Sequence, residues 1–302
     1  MYNPHQTYMK PPQYNQVYPV PSAPDSPTAY TAYTEPSAPT APTSLFVPPE
    51  SIENSLLSKS QKISNLINEY EIDNLFSEKL DILSNFETVL IIDDSGSMNT
   101  PLSNSKHSSR WEELKEVVNI VVKIATIFDE DGIDINFLNR QNYKNVKDLA
   151  TVNNILNENP YGLTPLNKVL QNVLIEYQNS IKPVLIVIAT DGIPTDNMGY
   201  PDLKNFKYTL KSKNHSQFYV SFLACSDQDS DVGYLNELDK KIPNIDTLDD
   251  YQSELLEVKK AQGRQFKYSF GDHIVRLLLG PLCPELDKLD EKKIGSKKCS
   301  IL

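Results

Sequence analysis

The chain has 302 residues, 39% of them hydrophobic and 23% charged, enough for one large soluble domain or two small ones. A net charge of −11 and a pI near 4.9 exclude a nucleic-acid surface, which needs a basic stripe to displace counterions. No run reaches the roughly 18 to 20 apolar residues of a membrane span, the first residues lack the apolar stretch of a secretory signal, and three scattered cysteines make neither a disulfide framework nor a zinc site. A cytosolic chain is expected, with Cys225 and Cys283 as buried or inert thiols.

Residues 1–50 hold most of the 21 prolines, together with Tyr, Thr, Ser and Ala. Such a segment buries too little apolar area to offset the entropy of ordering, so a disordered arm with polyproline II character is predicted. Residues 51–86 form a helical lead-in, with Leu56, Ile63, Leu66, Ile67 and Tyr70 at helical spacing and helices from about 51 to 84. Strands and helices then alternate. "ETVLIIDD" is a strand buried on both faces, "RWEELKEVVNIVVKIATIFDE" an amphipathic helix and "GIDINFLN" a second strand. "PLNKVLQNVLIEYQNS" is a helix opened by Pro165, followed by the strands "KPVLIVIATDG" and "QFYVSFLAC". "YLNELDKKI" and "SELLEVKKAQG" read as helices, and "DHIVRLLLGPL" as a last short helix stopped by Gly280 and Pro281. This alternation predicts an α/β domain over 87–280, with a doubly wound, mostly parallel, open Rossmann-like sheet. Residues 281–302 read as a polar, flexible tail.

In such sheets ligands bind beyond the carboxyl ends of the strands, where the strand order reverses. Two strand ends carry acids, "IIDDSGS" and "IATDG", and if their strands are neighbours Asp93 and Asp191 converge. Ser95 and Ser97 lie two and four residues beyond Asp93, so a loop that curls back aims all three side chains at one centre. Carboxylates and hydroxyls are hard oxygen ligands for Mg²⁺, Mn²⁺ or Ca²⁺, and Mg²⁺ accepts one or two carboxylates with water in the remaining positions. The alternative is that Ser and Asp after a strand simply cap a helix or form an Asx turn.

"DDSGSM" resembles the DxSxS motif of the von Willebrand factor A family, whose metal-ion-dependent adhesion site takes one Asp and two Ser from its first loop. That family adds a Thr from a G-x-T-x-L type loop and an Asp from a T-D-G loop, and here "YGLTPL" supplies Thr164 and "ATDG" supplies Asp191. The resemblance implies Asp93, Ser95 and Ser97 as near ligands, Thr164 as a direct or water-mediated ligand and Asp191 as an acid acting through water. The family's sixth ligand is usually an acidic residue of a partner protein, so the implied activity is binding. Leu163 departs from the pattern, since the loop often carries a second glycine there, and it would stiffen the Thr164 loop. Asp94, at a variable position, reads as solvent-facing or as a helix-start acid, or as added negative charge at the site.

An enzyme is not expected. The haloacid-dehalogenase phosphotransferases also place an Asp after an apolar strand, but their D-x-D needs a second Asp as general acid, and Ser95 stands there. The chain contains no phosphate-binding G-x-x-x-x-G-K-[ST], no G-x-G-x-x-G and no G-x-S-x-G elbow, and none of His5, His107, His215 and His273 has a partner visible in the sequence. The rivals to a binding protein are a metal-dependent phosphohydrolase and a structural adaptor with a vestigial metal site.

The C-terminal "CSIL" fits a prenylation signal at Cys299, with terminal Leu302 favouring geranylgeranyl. One lipid chain anchors weakly, and Lys292, Lys293, Lys297 and Lys298 supply the second, electrostatic signal, at about 1 kcal/mol each near an anionic leaflet. This predicts a cytoplasmic protein anchored to the inner leaflet of a membrane. In the arm, Pro11, Pro12 and Tyr14 form a PPxY peptide of the kind WW domains take. P-[ST]-A-P peptides run from Pro21 to Pro24, from Pro36 to Pro39 and from Pro39 to Pro42, resembling ligands of the first ESCRT complex. Several weak sites on one flexible arm gain by avidity.

Overall fold

A computed structural model describes residues 57–102, 107–226, 228–291 and 293. The chain divides into Met1–Val47 and Pro48–Leu302, and every described residue lies in the second unit. The peptide motifs of the arm, together with Lys292, Lys297, Lys298 and Cys299, lie outside the described residues.

Six strands build one sheet: β1 (Glu87–Ile92), β2 (Ile133–Phe137), β3 (Tyr143–Val146), β4 (Val184–Thr190), β5 (Phe218–Ala224) and β6 (Ile245–Leu248). Their order is β3-β2-β1-β4-β5-β6, parallel throughout except for β3, which runs antiparallel on β2. This is the α/β sheet the alternation predicts. Every residue of β4 is buried, because both faces of the sheet are covered.

The pleat divides the apolar side chains between two cores. Leu90 and Ile92 of β1, with Leu185 and Val187 of β4, face helices α3 (Arg110–Phe128) and α9 (Phe270–Leu279). Val89, Ile91, Ile186 and Ile188 face α5 (Leu166–Glu176), α6 (Leu203–Ser212) and α7 (Asp229–Asp239). Each such side chain, fully buried, contributes about 1.5–3 kcal/mol. The remaining helices are α1 (Lys59–Tyr70), α2 (Asn74–Ser77), α4 (Leu149–Ile155), α8 (Tyr251–Gln262) and α10 (Pro284–Asp287).

Residues 57–86 of the lead-in pack as part of this domain. Leu66, Phe76, Leu80 and Leu83 belong to the first core, and the Asp73 N–H donates to Asp272 Oδ1 in the first turn of α9 at 2.7 Å. Gly271 sits against the Tyr70 carbonyl so closely that a Cβ there has no room. The C-terminal boundary also differs from the sequence expectation, because a polar tail from 281 overlooks the apolar spacing of Cys283, Leu286 and Leu289. All three are buried, and α10 occupies part of the stretch read as flexible.

β3, β6, α4, α6 and α10 escape the sequence reading. "YKNV" and "IDTL" are four residues each, too short to show a period, and half of the β3 residues are exposed.

Candidate metal centre

β1 pairs with β4 in parallel with Ile92 opposite Ala189, so the chain leaves both strands at the same level. This is where the strand order reverses. Asp93 continues the ladder by one bond, its N–H donating to the Ala189 carbonyl at 3.0 Å, and Asp191 follows one residue beyond β4. The carboxylates of "IIDD" and "IATDG" therefore converge, as their strand ends require.

The first loop then turns back on itself. Ser95 N–H donates to Asp93 Oδ1 at 3.0 Å, an Asx turn that starts the 3₁₀ turn Gly96–Asn99. Ser95 Oγ and Ser97 Oγ lie 3.0 Å apart, and Ser97 Oγ donates to Asp191 Oδ1 at 2.7 Å. Asp93, Ser95, Ser97 and Asp191 thus form one connected hydrogen-bond chain, with Asp93, Ser95 and Asp191 buried and Ser97 exposed.

Thr164 joins this group through the backbone of its loop. The Gly96 N–H donates to the Gly162 carbonyl at 3.2 Å, and the Tyr161 N–H to the Asp94 carbonyl at 2.7 Å. On its other side the Thr164 N–H donates to Thr195 Oγ1 at 3.1 Å, so the loop is held between those of Asp93 and Asp191. Gly162, at φ +92°, lies against the Asn139 side chain, and a Cβ there would collide with it.

Asp94 corrects the sequence expectation. It is fully buried, not solvent-facing, because the end of β2 closes over it. Its Oδ1 accepts from the Leu138 and Asn139 N–H groups at 3.0 and 2.8 Å and from Asn139 Nδ2 at 3.2 Å, and its Oδ2 pairs with Arg140 at 2.7 Å. The guanidinium of Arg140 lies against the rings of Trp111, Phe137 and Tyr161. Asp94 is therefore a bracket between loops, and its charge is already matched.

Two residues of the centre are invisible to motif reading. Thr190 Oγ1 donates to Asp93 Oδ2 at 2.6 Å. Arg110, placed at the start of α3 by the Ser109 cap, sends Nη1 to Asp191 Oδ2 and Nη2 to Ser226 Oγ, both at 2.8 Å. No spacing rule links Arg110 to a carboxylate 81 residues away.

No family model matches the chain, and no curated protein matches it. Among solved structures it is similar to the PilB minor pilin from Streptococcus sanguinis, at 15% identity and a TM-score of 0.41, over 58% of this chain and 61% of that one. The chain thus spans about three-fifths of the pilin's length.

The residues present fit a hard divalent cation. Every donor is an oxygen, from two carboxylates and two facing hydroxyls, with Thr164 alongside. Burial and the nearby Asp191 carboxylate push the Asp93 carboxyl up to about 7, although hydrogen bonds from Ser95 and Thr190 act in the opposite direction. Once Asp93 has lost its proton, two buried acids face one buried cation, Arg110, which leaves about one negative charge for a metal to match. The described histidines are engaged elsewhere: His107 with Glu116, His215 with Lys213, and His273 with Tyr268 in the core.

Proposed function

We propose that the protein is a membrane-anchored intracellular adaptor of the von Willebrand factor A type, whose Mg²⁺-dependent centre docks an acidic side chain of a protein partner. Asp93, Ser95, Ser97 and Thr164 would hold the ion, with Asp191 acting through water. The bound ion supplies Lewis acidity and positive charge to an incoming carboxylate. Arg110 keeps Asp191 oriented, and Asp94 with Arg140 holds the loops in register.

The observation that carries a binding role is the surface around the centre. Among the described residues, five of the nine exposed large hydrophobic ones, Tyr161, Leu163, Ile193, Met198 and Tyr200, sit on the loops that present Thr164 and Asp191. Leu163 and Gly199 meet at the top, which joins the two loops into one apolar rim. An apolar rim around a charged centre suits a protein interface, where a single ionic contact sets register and the surrounding burial supplies affinity. Exposed Leu163, at the position where the family often has glycine, adds to that rim.

Proximity labelling compares the wild type, Asp93→Ala and the double variant Met198→Asp with Tyr200→Asp. The partners lost with Asp93→Ala are expected to fall roughly tenfold or more in the double variant, a difference of about 1.4 kcal/mol, while its Mg²⁺ affinity stays at the wild-type level. An unchanged partner set in both variants would sink the docking role.

The anchor rests on Cys299 and the lysines before it, and the arm would recruit WW-domain or ESCRT partners while the metal face is occupied. No helix among the described residues is long and apolar enough to cross a membrane. In this reading membrane attachment depends on the lipid, and Cys299→Ser is expected to move the protein from the membrane to the soluble fraction. Identical fractionation of the two proteins would dispose of the anchor.

A further inference from the structure

Three carboxylates meet at the edge of the sheet where β6 lies. Asp246 is on β6, Asp239 is the last residue of α7 and Asp287 the last of α10, and one carboxylate oxygen from each lies within 4.8 Å of the other two. Such a group means little on its own in a chain with 40 acidic residues. Asp246 sets it apart. The residue is 1% exposed, and neither Oδ1 nor Oδ2 accepts a hydrogen bond from the protein. Its Oδ2 is backed by Gly280, against which a Cβ would have no room.

A buried carboxylate with two unmatched oxygens either takes up a proton or faces a cation. The buried arginine nearby acts on Asp246 by charge alone and supplies no donor: Arg276 directs Nη1 to Glu254 and Nη2 to the Asp287 carbonyl and to Asp290. Lys240, next to Asp239, is exposed. Two oxygens bound to one Ca²⁺ at about 2.3–2.6 Å lie no more than about 5 Å apart, a limit the three carboxylates meet. Mg²⁺ usually takes only one or two carboxylates, whereas Ca²⁺ accepts three or more hard oxygens in irregular geometry, and the partly exposed Asp239 and Asp287 leave room for water.

We propose that Asp239, Asp246 and Asp287 form a calcium site, distinct from the centre at Asp93, that pins α10 to the edge of the sheet. Asp239 and Asp246 come from consecutive elements and Asp287 from far along the chain, so the ion closes a loop that α10 otherwise holds through Leu286, Leu289 and Arg276. Ca²⁺ would thereby set how firmly the last helix, from which the C-terminal segment departs, is held to the domain.

The test is calorimetry with CaCl₂ on the full chain carrying Asp93→Asn, which disables the first centre, and on the same chain with Asp239→Asn or Asp246→Asn added. The expected result is one Ca²⁺ bound by Asp93→Asn, slower hydrogen–deuterium exchange over residues 284–291 with Ca²⁺, and at least a tenfold loss of affinity with either added change. Asp239 is partly exposed, so Asp239→Asn keeps the test open if Asp246→Asn misfolds. In the otherwise wild-type chain, Asp239→Asn should lower the Ca²⁺ stoichiometry by one. No binding at millimolar Ca²⁺ to a folded Asp93→Asn chain, or affinity unchanged by Asp239→Asn, overturns the site. Exchange over 284–291 that slows on acidification and not with Ca²⁺ would overturn it too, pointing to a proton shared between carboxyls.

Discussion

Asp93→Asn is expected to weaken Mg²⁺ binding at the first centre by about 100-fold or more, since it removes a ligand charge at nearly constant shape. The amide oxygen can still accept from Ser95 N–H, and the Thr190 hydroxyl can turn to accept from the amide N–H, so the loop should keep its course. The same variant tests a pH dependence whose sign follows from burial. Asp93 titrates near 7 in the folded chain, against about 3.9 for an unfolded aspartate. Between those values the folded chain holds a proton that the unfolded chain has released, so this group's contribution to metal-free stability is lost as pH rises from about 4 through about 7. A bound Mg²⁺ would compete with that proton. Its stabilising shift in Tm is therefore expected to grow from pH 6 to pH 8 in the wild type and to be small and flat in Asp93→Asn. Calorimetry and thermal melts in EDTA or Mg²⁺ read both effects. A variant with wild-type Mg²⁺ affinity would remove Asp93 from the centre.

Arg110→Leu should cost about 3–5 kcal/mol of stability in EDTA, because it leaves the Asp191 carboxylate buried without its cation. Both partners are almost wholly enclosed, so solvent screens the pair little. Ser226 also loses a donor, and Asp231, 4.0 Å from Arg110 Nη2, loses a weaker attraction. If a cation is what the pocket lacks, Mg²⁺ should restore part of the loss, and urea denaturation with and without the ion measures how much. An Arg110→Leu chain as stable as the wild type in EDTA would show that the guanidinium contributes only orientation.

These two residues show how unevenly the site could be read from the chain. Asp93, Ser95 and Ser97 lie within five residues, so local spacing aims them together before any fold is known. Asp191 needed one further inference, that its strand lies beside β1, and the register Ile92 to Ala189 meets it. Arg110 and Thr190 gave no such signal, because an arginine that starts a helix and a threonine that ends a strand are ordinary in those places. Asp94 is buried against the expectation of a solvent-facing acid for a related reason. Its neighbours in sequence suggest a loop surface, and only the end of β2, more than forty residues on, supplies the donors that bury it.

The larger elements followed from periodicity. A run such as "VLIVIAT" is buried on both faces whatever surrounds it, and the apolar stripe of α3 calls for a sheet to cover it. The four-residue strands β3 and β6 carry no such pattern, and pairing with a neighbour, not propensity, makes them strands. The sequence by itself determined the alternating α/β order, the oxygen-rich turn after β1 and the acid after β4, since each depends on contacts a few residues apart. Only the tertiary structure decided which charges meet: Arg110 with Asp191, Arg140 with Asp94, and Asp246 with Asp239 and Asp287. Those meetings depend on strand order and on helices crossing the sheet, and the Coulomb and desolvation terms that govern them act on distance in space, which spacing along the chain does not encode.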